Sequence, residues 1–367
     1  MKKRILSLLT TLVMIVGIVG VMPSVSAGAL TSGDFEYDVF NDGIVGITHY
    51  MGDETEVTVP SEIEGMVVTG IGIGAFQNNS KIKSVIISEG IRYIGDSAFG
   101  NCTNLTSITI PNSLESILPS AFFGCGSLEH IDIPNSVESI SMYAFAGSGL
   151  ISVTIPDSVS FIGTSAFACT NLTEINVASG NKTYSSYDGI LYDKERLYLN
   201  RCPGAKTEVT IPDGVLSIMQ YAFENCNNLT SVSIPDSVTG IGNDVFYCDN
   251  LKRIIIPKSV TDIGLRAFGY SHSGKIEDFI IYCYSGTAGE QYAIDNGFNY
   301  ILLDGDYPLG DLSGDGKITT VDVGIINSFA KGTKEYTDEQ FKLADANADG
   351  KITTVDVGLI NKIAKSA

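Results

Sequence analysis

The sequence predicts a β-rich solenoid of short strands, joined to a small all-α domain that carries two calcium-binding loops. Two observations lead to this fold class. A pattern returns about every 23 residues between positions 57 and 280, and a twelve-position loop pattern occurs twice within residues 310–367. A fixed period of this length is typical of a solenoid, because each unit buries its apolar side only against its neighbours.

The N-terminal residues predict a cleaved export signal. Three basic residues precede an apolar run over Ile5–Met22, and a small-residue cleavage motif ends at Ala27. The run is also long enough for a membrane helix, but the proline that follows it and the small-residue motif favour cleavage. We therefore expect residues 1–27 to be a signal peptide, and the mature protein to be secreted and free of the membrane.

The charge of the chain argues against a nucleic-acid partner. The net charge is −19 at pH 7, and loss of residues 1–27 removes three positive charges and makes it −22. Nucleic-acid phosphates attract clusters of Lys and Arg, and no basic run follows the signal. An acidic balance of this kind mainly supports solubility.

The repeated unit is clearest at 155–167 and 234–246, which share the pattern I-P-D-S-V-x-x-I-G-x-x-[AV]-F. A short alternating stretch before each proline predicts a strand, and proline ends it because it has no N–H to donate. The Ile-Gly pair predicts a turn, and the phenylalanine is expected in the core. Spacings of 22 or 23, with one gap of 56, separate the repeated phenylalanines Phe76, Phe99, Phe122, Phe145, Phe167, Phe223, Phe246 and Phe268.

This pattern resembles the BspA-like leucine-rich repeats of bacterial surface and secreted proteins. The resemblance covers about residues 35–303 and implies a leucine-rich-repeat solenoid over residues 60–303. Residues 28–59 are expected to form an N-terminal β cap. A C-terminal cap is expected over residues 276–303, with a short helix that stops at Gly297.

The long gap between Phe167 and Phe223 predicts an insertion around residues 178–208. Its segment 187–199 predicts two strands about a polar turn. Four tyrosines lie in this insertion, and we expect them to pack the hairpin against the solenoid. The alternative is that the tyrosines form an exposed aromatic surface that binds a ligand. These tyrosines are Tyr184, Tyr187, Tyr192 and Tyr198.

The seven cysteines are an odd number, which in an exported protein favours disulfides and one spare thiol. Their spacing favours another interpretation. Five of them follow a repeated phenylalanine by two or three positions, and they therefore occupy one equivalent position of the repeat. We expect buried free thiols there. The redox state of Cys202 and Cys283, which lie outside this pattern, stays open.

The solenoid carries no persuasive catalytic pattern. Its three histidines, His49, His130 and His272, lie in different repeats. Gly70, Gly72 and Gly74 are spaced like a nucleotide loop, but they coincide with the Ile-Gly turn of the first repeat. Glycan hydrolysis requires two carboxylates across a sugar, and most acidic residues lie at variable positions or in turns. The chain is therefore expected not to be an enzyme.

The two loop patterns have the oxygen-bearing residues that Ca²⁺ prefers at positions 1, 3, 5 and 12, and glycine at position 6. Position 7 contributes a backbone carbonyl, so that lysine fits there. The candidate ligands of the first loop are Asp311, Ser313, Asp315, Lys317, Thr319 and Asp322. Those of the second loop are Asp345, Asn347, Asp349, Lys351, Thr353 and Asp356.

A helix-like stretch follows each loop, and position 12 is aspartate where an EF-hand has glutamate. Residues 310–367, preceded by a linker at 304–309, thereby resemble the type I dockerin family. The resemblance implies two bound Ca²⁺ ions and a cohesin module of a scaffold protein as partner. The residues it places at the cohesin contact are Thr320, Val321, Asn327, Ser328, Thr354, Val355, Asn361 and Lys362.

The Thr-Val pair is identical in the two halves, which leads to the hypothesis that the dockerin binds in two orientations related by a half-turn. Together these patterns predict a secreted, non-catalytic binding protein. It is expected to be anchored to a cellulosome scaffold and associated with plant cell-wall polysaccharide degradation. The solenoid would bind an unknown protein or glycan. Two alternatives are a glycan-active hydrolase and an inhibitor or regulator of partner enzymes, each carried on the same dockerin.

Overall fold

The residues that the computed structural model describes are 30–40, 43–304, 310–313, 318–336, 338–346 and 351–366. They form a β-solenoid of about 11 turns and a small helical region. Within these ranges, no helix is both long and apolar enough to cross a membrane. The predicted signal peptide and residues 305–309 of the predicted linker lie outside the described residues.

The N-terminal end of the solenoid is closed by an antiparallel meander. The strands of this region are β1 (Leu30–Ser32), β2 (Phe35–Val39), β3 (Val45–Tyr50), β4 (Glu56–Val59), β5 (Glu62–Ile63) and β6 (Met66–Ile71). β1, β2 and β3 pair in sequence order, and β3 then pairs in parallel with β6. The ring of Tyr50 stacks on Phe76 at 5.2 Å, so the meander covers the first turn of the solenoid.

Two parallel ladders run along the first half, and most turns contribute a strand to each. The strands that follow β6 are β7 (Ser84–Ile87), β8 (Tyr93–Ile94), β9 (Ser107–Thr109), β10 (Ser116–Ile117), β11 (Ser139–Ile140), β12 (Ser152–Ile155), β13 (Phe161–Ile162) and β14 (Glu174–Val177). One ladder is β6-β8-β10-β11-β13, and the other contains β4-β7-β9 and β12-β14. Equivalent residues pair directly, as in Ser116 with Ser139. The period of the sequence is thus the register of the sheets.

The repeated phenylalanines form a column of stacked rings along the solenoid axis. From Phe76 to Phe167, consecutive ring centroids lie 4.8–5.4 Å apart. A second run joins Phe223, Phe246 and Phe268 at 4.6 and 5.4 Å. All eight rings are at most 1% exposed. The column is the centre of the core, as the sequence predicts.

The glycine of the Ile-Gly pair allows consecutive turns to approach closely. The N–H of Gly95 donates to the carbonyl oxygen of Ile71 in the preceding turn at 2.7 Å. A Cβ on Gly95 would lie 2.6 Å from that oxygen, and a Cβ on Gly163 would lie 2.3 Å from the backbone nitrogen of Met142. The glycines therefore serve the stacking of backbones, which agrees with their interpretation as turn residues.

The cysteines form a second buried column. All seven are free and buried. The thiol of Cys102 donates to the carbonyl oxygen of Phe76 at 3.1 Å, and those of Cys125 and Cys169 bond equivalent oxygens of Phe99 and Phe145. Each of these three thiols satisfies a carbonyl of the turn before it, and this explains why the cysteine recurs at a fixed place after the phenylalanine. The prediction of buried free thiols is confirmed.

The insertion divides the core. Its strands are β15 (Tyr184–Tyr187), β16 (Ile190–Asp193) and β17 (Tyr198–Arg201), which pair as an antiparallel sheet, one strand more than the sequence predicts. Side chains of β16 alternate between two core clusters, because Leu191 belongs to the first and its two neighbours belong to the second. Tyr192 is fully buried and Tyr184 is half-buried, whereas Tyr187 and Tyr198 are exposed. Packing of the tyrosines is thus confirmed for two of the four.

The second half resumes the two ladders. Its elements are β18 (Glu208–Thr210), β19 (Ser217–Ile218), β20 (Ser231–Ser233), β21 (Gly240–Ile241), β22 (Arg253–Ile255), β23 (Asp262–Ile263), β24 (Tyr270–Ser271), β25 (Gly274–Lys275), β26 (Ile280–Cys283), α1 (Ala288–Asn296) and β27 (Asn299–Leu302). β17 pairs in parallel with β19. Further along the chain, β22 pairs with β26, and β26 pairs with β27.

The predicted C-terminal helix is present as α1. Gly297 ends it in the left-handed conformation at φ 63°, and its N–H bonds the last carbonyl groups of the helix. The hydroxyl of Tyr292 in α1 lies 3.1 Å from both the N–H and the carbonyl oxygen of Phe268. The Tyr292 ring meets the Phe268 ring edge to face at 5.5 Å. The helix thereby closes the end of the phenylalanine column.

The described residues of the C-terminal region include three helices. They are α2 (Thr320–Ala330), α3 (Asp338–Ala344) and α4 (Thr354–Ser366). α2 and α4 follow the two loop patterns and pack against each other.

A phenylalanine of the column and its exposed neighbour provide a matched test of the core. Phe122 is fully buried, whereas Phe123 is 44% exposed. We predict that Phe122→Ala lowers the free energy of unfolding by about 3–5 kcal/mol, and that Phe123→Ala changes it by about 0.5 kcal/mol or less. Urea unfolding followed by circular dichroism measures both, and equal losses would contradict the stacked-column description.

The cysteine column predicts a loss of stability at high pH. Burial raises the pKa of Cys102 and Cys169 from 9.0 to about 11. Between these pH values the folded state binds more protons than the unfolded state, so the free energy of unfolding falls as the pH rises from 9 towards 11. Urea unfolding at pH 8 and pH 10 measures the slope. Cys102→Ala should make the slope shallower, and an unchanged slope would refute this assignment.

Candidate calcium-binding loops

Asp322 ties the start of the first loop to the start of α2. One carboxylate oxygen accepts the backbone N–H groups of Leu312 and Ser313 at 3.0 and 2.8 Å. The other oxygen accepts the N–H and the hydroxyl of Thr319 at 2.8 and 3.0 Å. Thr319 is the N-cap residue of α2, with Asp322 as the reciprocal partner of a capping box. One fully buried side chain thus holds both ends of the loop.

The second loop repeats the helix-start half of this arrangement. The N–H and hydroxyl of Thr353 donate to Asp356 at 2.7 and 3.1 Å, and Asp356 is fully buried. Asp345, at the first position of the loop, is 2% exposed. It accepts from the guanidinium group of Arg253, a residue of β22 in the solenoid, at 3.2 Å. The two loops therefore match internally but differ in what surrounds their first ligand position.

The predicted ligands are only partly within the described residues. In the first loop, Asp311 is 1% exposed, and the Ser313 hydroxyl donates to its carboxylate at 3.2 Å. Lys351 of the second loop has an exposed side chain. Four predicted ligands, Asp315, Lys317, Asn347 and Asp349, lie outside the described residues. In the parts of the loops that are described, no three Asp, Glu, His or Cys side chains lie close enough together to hold a metal ion.

The donor set that is described fits a hard divalent cation. Each loop buries two aspartates, and buried carboxylates need compensating positive charge. Burial would raise the pKa of Asp322, but hydrogen bonds from Thr319 and Ser313 outweigh it and hold that pKa below its usual value. The carboxylate is thereby kept ionised. Clustered carboxylate and hydroxyl oxygens are the ligands that Ca²⁺ prefers.

Apolar residues of the two loops and of α2 and α4 form a shared core. Ile318 and Ile352, at position 8 of the two loops, are buried in one cluster with Ile326, Phe329 and Ile360. Ile325 and Leu359 are partly buried against the same cluster. The side chain of Ile363 lies outside the description. This core joins the two loop-helix units into one body.

The two Thr-Val pairs predicted to meet a cohesin lie mainly on the surface. Val321 and Val355 are 61% and 39% exposed, and Thr354 is exposed. The other candidates whose side chains are described include Asn327, Ser328 and Asn361, which are partly buried. The Ser328 hydroxyl donates to carbonyl groups within α2. The side chain of Lys362 is not among those described, and all eight assignments stay predictions.

Two grooves on the described surface of the solenoid lack a pair of buried carboxylates. A groove beside the C-terminal cap contains Glu277 and Asp278, which are adjacent in sequence. A second groove contains His130 and Asp132. A catalytic acid usually needs burial to raise its pKa, and neither of these described grooves pairs two buried carboxylates.

Comparison with known families agrees with the two-part architecture. The family model for the BspA type leucine-rich repeat region matches residues 69–188 and 200–295 in six copies. The chain belongs to this family. The type I dockerin domain model matches residues 309–363, so the leucine-rich-repeat solenoid carries a dockerin at its C-terminal end. Both families are non-catalytic, and calcium binding is a general property of type I dockerins.

Solved structures show the same repeat architecture. A leucine-rich-repeat protein from Bacteroides ovatus is 26% identical, with a TM-score of 0.50 over 74% of this chain and 66% of that chain. The pneumococcal vaccine antigen PcpA is 18% identical, with a TM-score of 0.50 over 75% of this chain and 98% of that one. A leucine-rich cell surface protein from Faecalibacterium prausnitzii is 25% identical over 79% of this chain and 97% of that chain, with a TM-score of 0.45. No curated protein matches the chain.

Removal of calcium should affect the two domains differently. We predict that a chelator added to the full chain unfolds the dockerin, because its buried aspartates then repel one another without compensation. The solenoid has its own core and should stay folded. Far-ultraviolet circular dichroism should show loss of helix signal with the β signal kept, and calcium, but not magnesium, should restore the helix. Unchanged helix content after chelation would contradict this prediction.

Proposed function

We propose that the protein is a secreted, non-catalytic binding module that attaches to a cohesin module of a cellulosome scaffold through its calcium-loaded dockerin. Two Ca²⁺ ions would bind, one in each loop. Secretion rests on the predicted signal peptide at residues 1–27. The association with plant cell-wall polysaccharide degradation rests on the extracellular cellulosomes in which dockerin proteins occur.

The observation that carries the proposal is the duplicated link between loop and helix. Asp322 and Asp356 each accept hydrogen bonds from the threonine that precedes the next helix. That helix begins with a Thr-Val pair in both halves, and the valine is exposed in each. Because the same carboxylate is part of the loop and of the helix start, an ordered loop also fixes the position of this Thr-Val pair.

Different residues of the dockerin have different roles in attachment. Calcium, when bound, supplies the positive charge that the buried carboxylates require. The aspartates at position 12 hold the loop ends together and fix the first turns of α2 and α4. Ile318 and Ile352 join the loops through the shared core. The pairs Thr320-Val321 and Thr354-Val355 then form the contact with the cohesin.

The solenoid supplies the second binding function. Its strands stack into long ladders whose outer positions are polar over most of their length, as at Ser107, Thr109 and Thr154. Solenoids present extended surfaces of this kind to protein partners. A protein ligand is therefore the class that the family favours.

A binding measurement with a matched variant tests the attachment. The full chain is passed over immobilised cohesins of several types, with calcium and with chelator. We expect calcium-dependent binding to at least one of them. The control is the double variant Asp322→Asn and Asp356→Asn, which keeps the side-chain shape and should lose binding. Absence of binding to every cohesin in calcium would overturn the proposed attachment.

The internal symmetry predicts two binding orientations. We expect the variant Thr320→Glu/Val321→Glu to bind the cohesin within about threefold of the wild type, because the second pair remains intact. The variant Thr354→Glu/Val355→Glu should behave in the same way. All four changes together should weaken binding by about 100-fold or more, which is typical of the loss of a buried interface centre. Loss of binding from the first pair alone would show that docking uses a single orientation.

A further inference from the structure

The outer face of the solenoid changes character at its C-terminal end. At one outward position of the ladder that includes β12-β14 and β18-β20, the register aligns Thr154 with Asn176 and Thr210 with Ser233, all polar. In the first half, the same position has the exposed Ile86 beside Thr109. In the last three strands the equivalent position is apolar, and the register aligns Ile255 with Tyr282 and Tyr282 with Ile301. Outward apolar side chains on a β ladder need a covering surface.

The dockerin provides that cover. Tyr282 is 1% exposed and belongs to one cluster with Leu312, Ile318 and Ile352 of the dockerin. Ile255, Ile280 and Ile301 are partly buried against the same cluster. The core of the dockerin is therefore continuous with the outer face of β22, β26 and β27.

Arg253 lies at the edge of this interface and connects it to the second calcium loop. Its guanidinium group donates to the Tyr282 hydroxyl at 2.7 Å and lies 5.4 Å from the centre of the Tyr282 ring. It also donates to the carbonyl oxygen of Asp345 and, at 3.2 Å, to the carboxylate oxygen Oδ2 of Asp345. The side chain of Arg253 is 12% exposed and that of Asp345 is 2% exposed.

We propose that Arg253 is a positioning residue for the second calcium site, and that the end of the solenoid thereby completes this site. The inference rests on the proposed calcium binding in that loop. Asp345 is its first ligand position, and a carboxylate has two oxygens, so that Arg253 can hold one while the other serves the cation. Outer partners of this kind fix the orientation of a ligand and raise its affinity for the metal.

Charge alone would act in the opposite direction. A guanidinium group close to a cation repels it, so Arg253 would weaken calcium binding if it contributed only charge. Positioning predicts that loss of Arg253 weakens binding, and the sign of the effect therefore separates the two roles. Among the described residues, the first loop has no arginine contact of this kind, and the carboxylate of Asp311 accepts instead from the Ser313 hydroxyl. The first loop serves as an internal control.

The test reads each loop separately in the full chain by calorimetric calcium titration. Asp322→Asn weakens the first loop and leaves the second to be measured, and Asp356→Asn does the reverse. In the first background, Arg253→Met should lower calcium affinity by about 10-fold. Arg253→Lys should restore only part of this, since one ammonium group cannot span Asp345 and Tyr282. In the second background, Arg253→Met should leave the affinity unchanged.

Two further variants keep the result interpretable. Tyr282→Phe keeps the ring of the interface but removes the hydroxyl that holds Arg253, and we expect a smaller loss in the second loop. Arg266→Met removes an arginine that pairs with Asp244 within the solenoid, at 2.8 Å, and should have no effect. Circular dichroism confirms that each variant is folded.

The outcomes distinguish the inference from the function on which it rests. Unchanged or tighter calcium binding in the second loop of Arg253→Met would overturn the positioning role. An equal loss in both loops would indicate a general weakening of the dockerin and would also overturn it. If the unmodified chain binds no calcium in either loop, the proposed calcium-dependent attachment fails together with the inference.

Discussion

In-register stacking of consecutive turns is the constraint on which the rest of the structure depends. Most turns have a short strand in each ladder and one phenylalanine in the core. The hydrogen-bonding groups of the strands and the phenylalanine ring find their partners only in the neighbouring turns. The N–H and carbonyl groups of a strand bond to the turns before and after it. The ring of Phe122 packs between two others, at 5.4 and 5.2 Å. The constant spacings within each unit, including those of the Ile-Gly pair and the cysteine, follow from this requirement.

Stacking of this kind leaves two ends that have to be covered. At the N-terminal end the antiparallel meander places Tyr50 over the first phenylalanine of the column. At the C-terminal end α1 places Tyr292 over the last one. The outer face of the last three strands is covered in addition by the dockerin. The dockerin therefore also helps to cap the C-terminal end of the solenoid.

Local patterns in the sequence predicted the features that depend on local spacing. The period of the phenylalanines indicated the register of the ladders, and Gly297 marked the end of α1. The aspartates at position 12 predicted two equivalent loops, which the matched contacts of Asp322 and Asp356 reproduce. In each case, residues close in the chain determine the contact.

Contacts between distant segments could not be predicted in the same way. The division of the core by β16 depends on a segment that lacks the repeat motif. The repeat period therefore does not predict which side chains of β16 enter which core cluster. The contact between Arg253 and Asp345 joins residues 92 positions apart. A signal for it was nevertheless present. The run Ile254-Ile255-Ile256 breaks the alternation seen in the equivalent strand at 231–234, and apolar residues on both faces indicate a strand covered on both sides.

The most direct test of this account is hydrogen–deuterium exchange on the full chain, measured with calcium and with chelator. The account predicts that β7–β13 stay protected in both conditions, because stacking of the turns does not depend on calcium. It predicts that α2 and α4 lose protection on chelation, and that the amide groups around Tyr282 and Ile301 become more exposed with them. Loss of protection throughout the solenoid, or no change beside the dockerin, would contradict it.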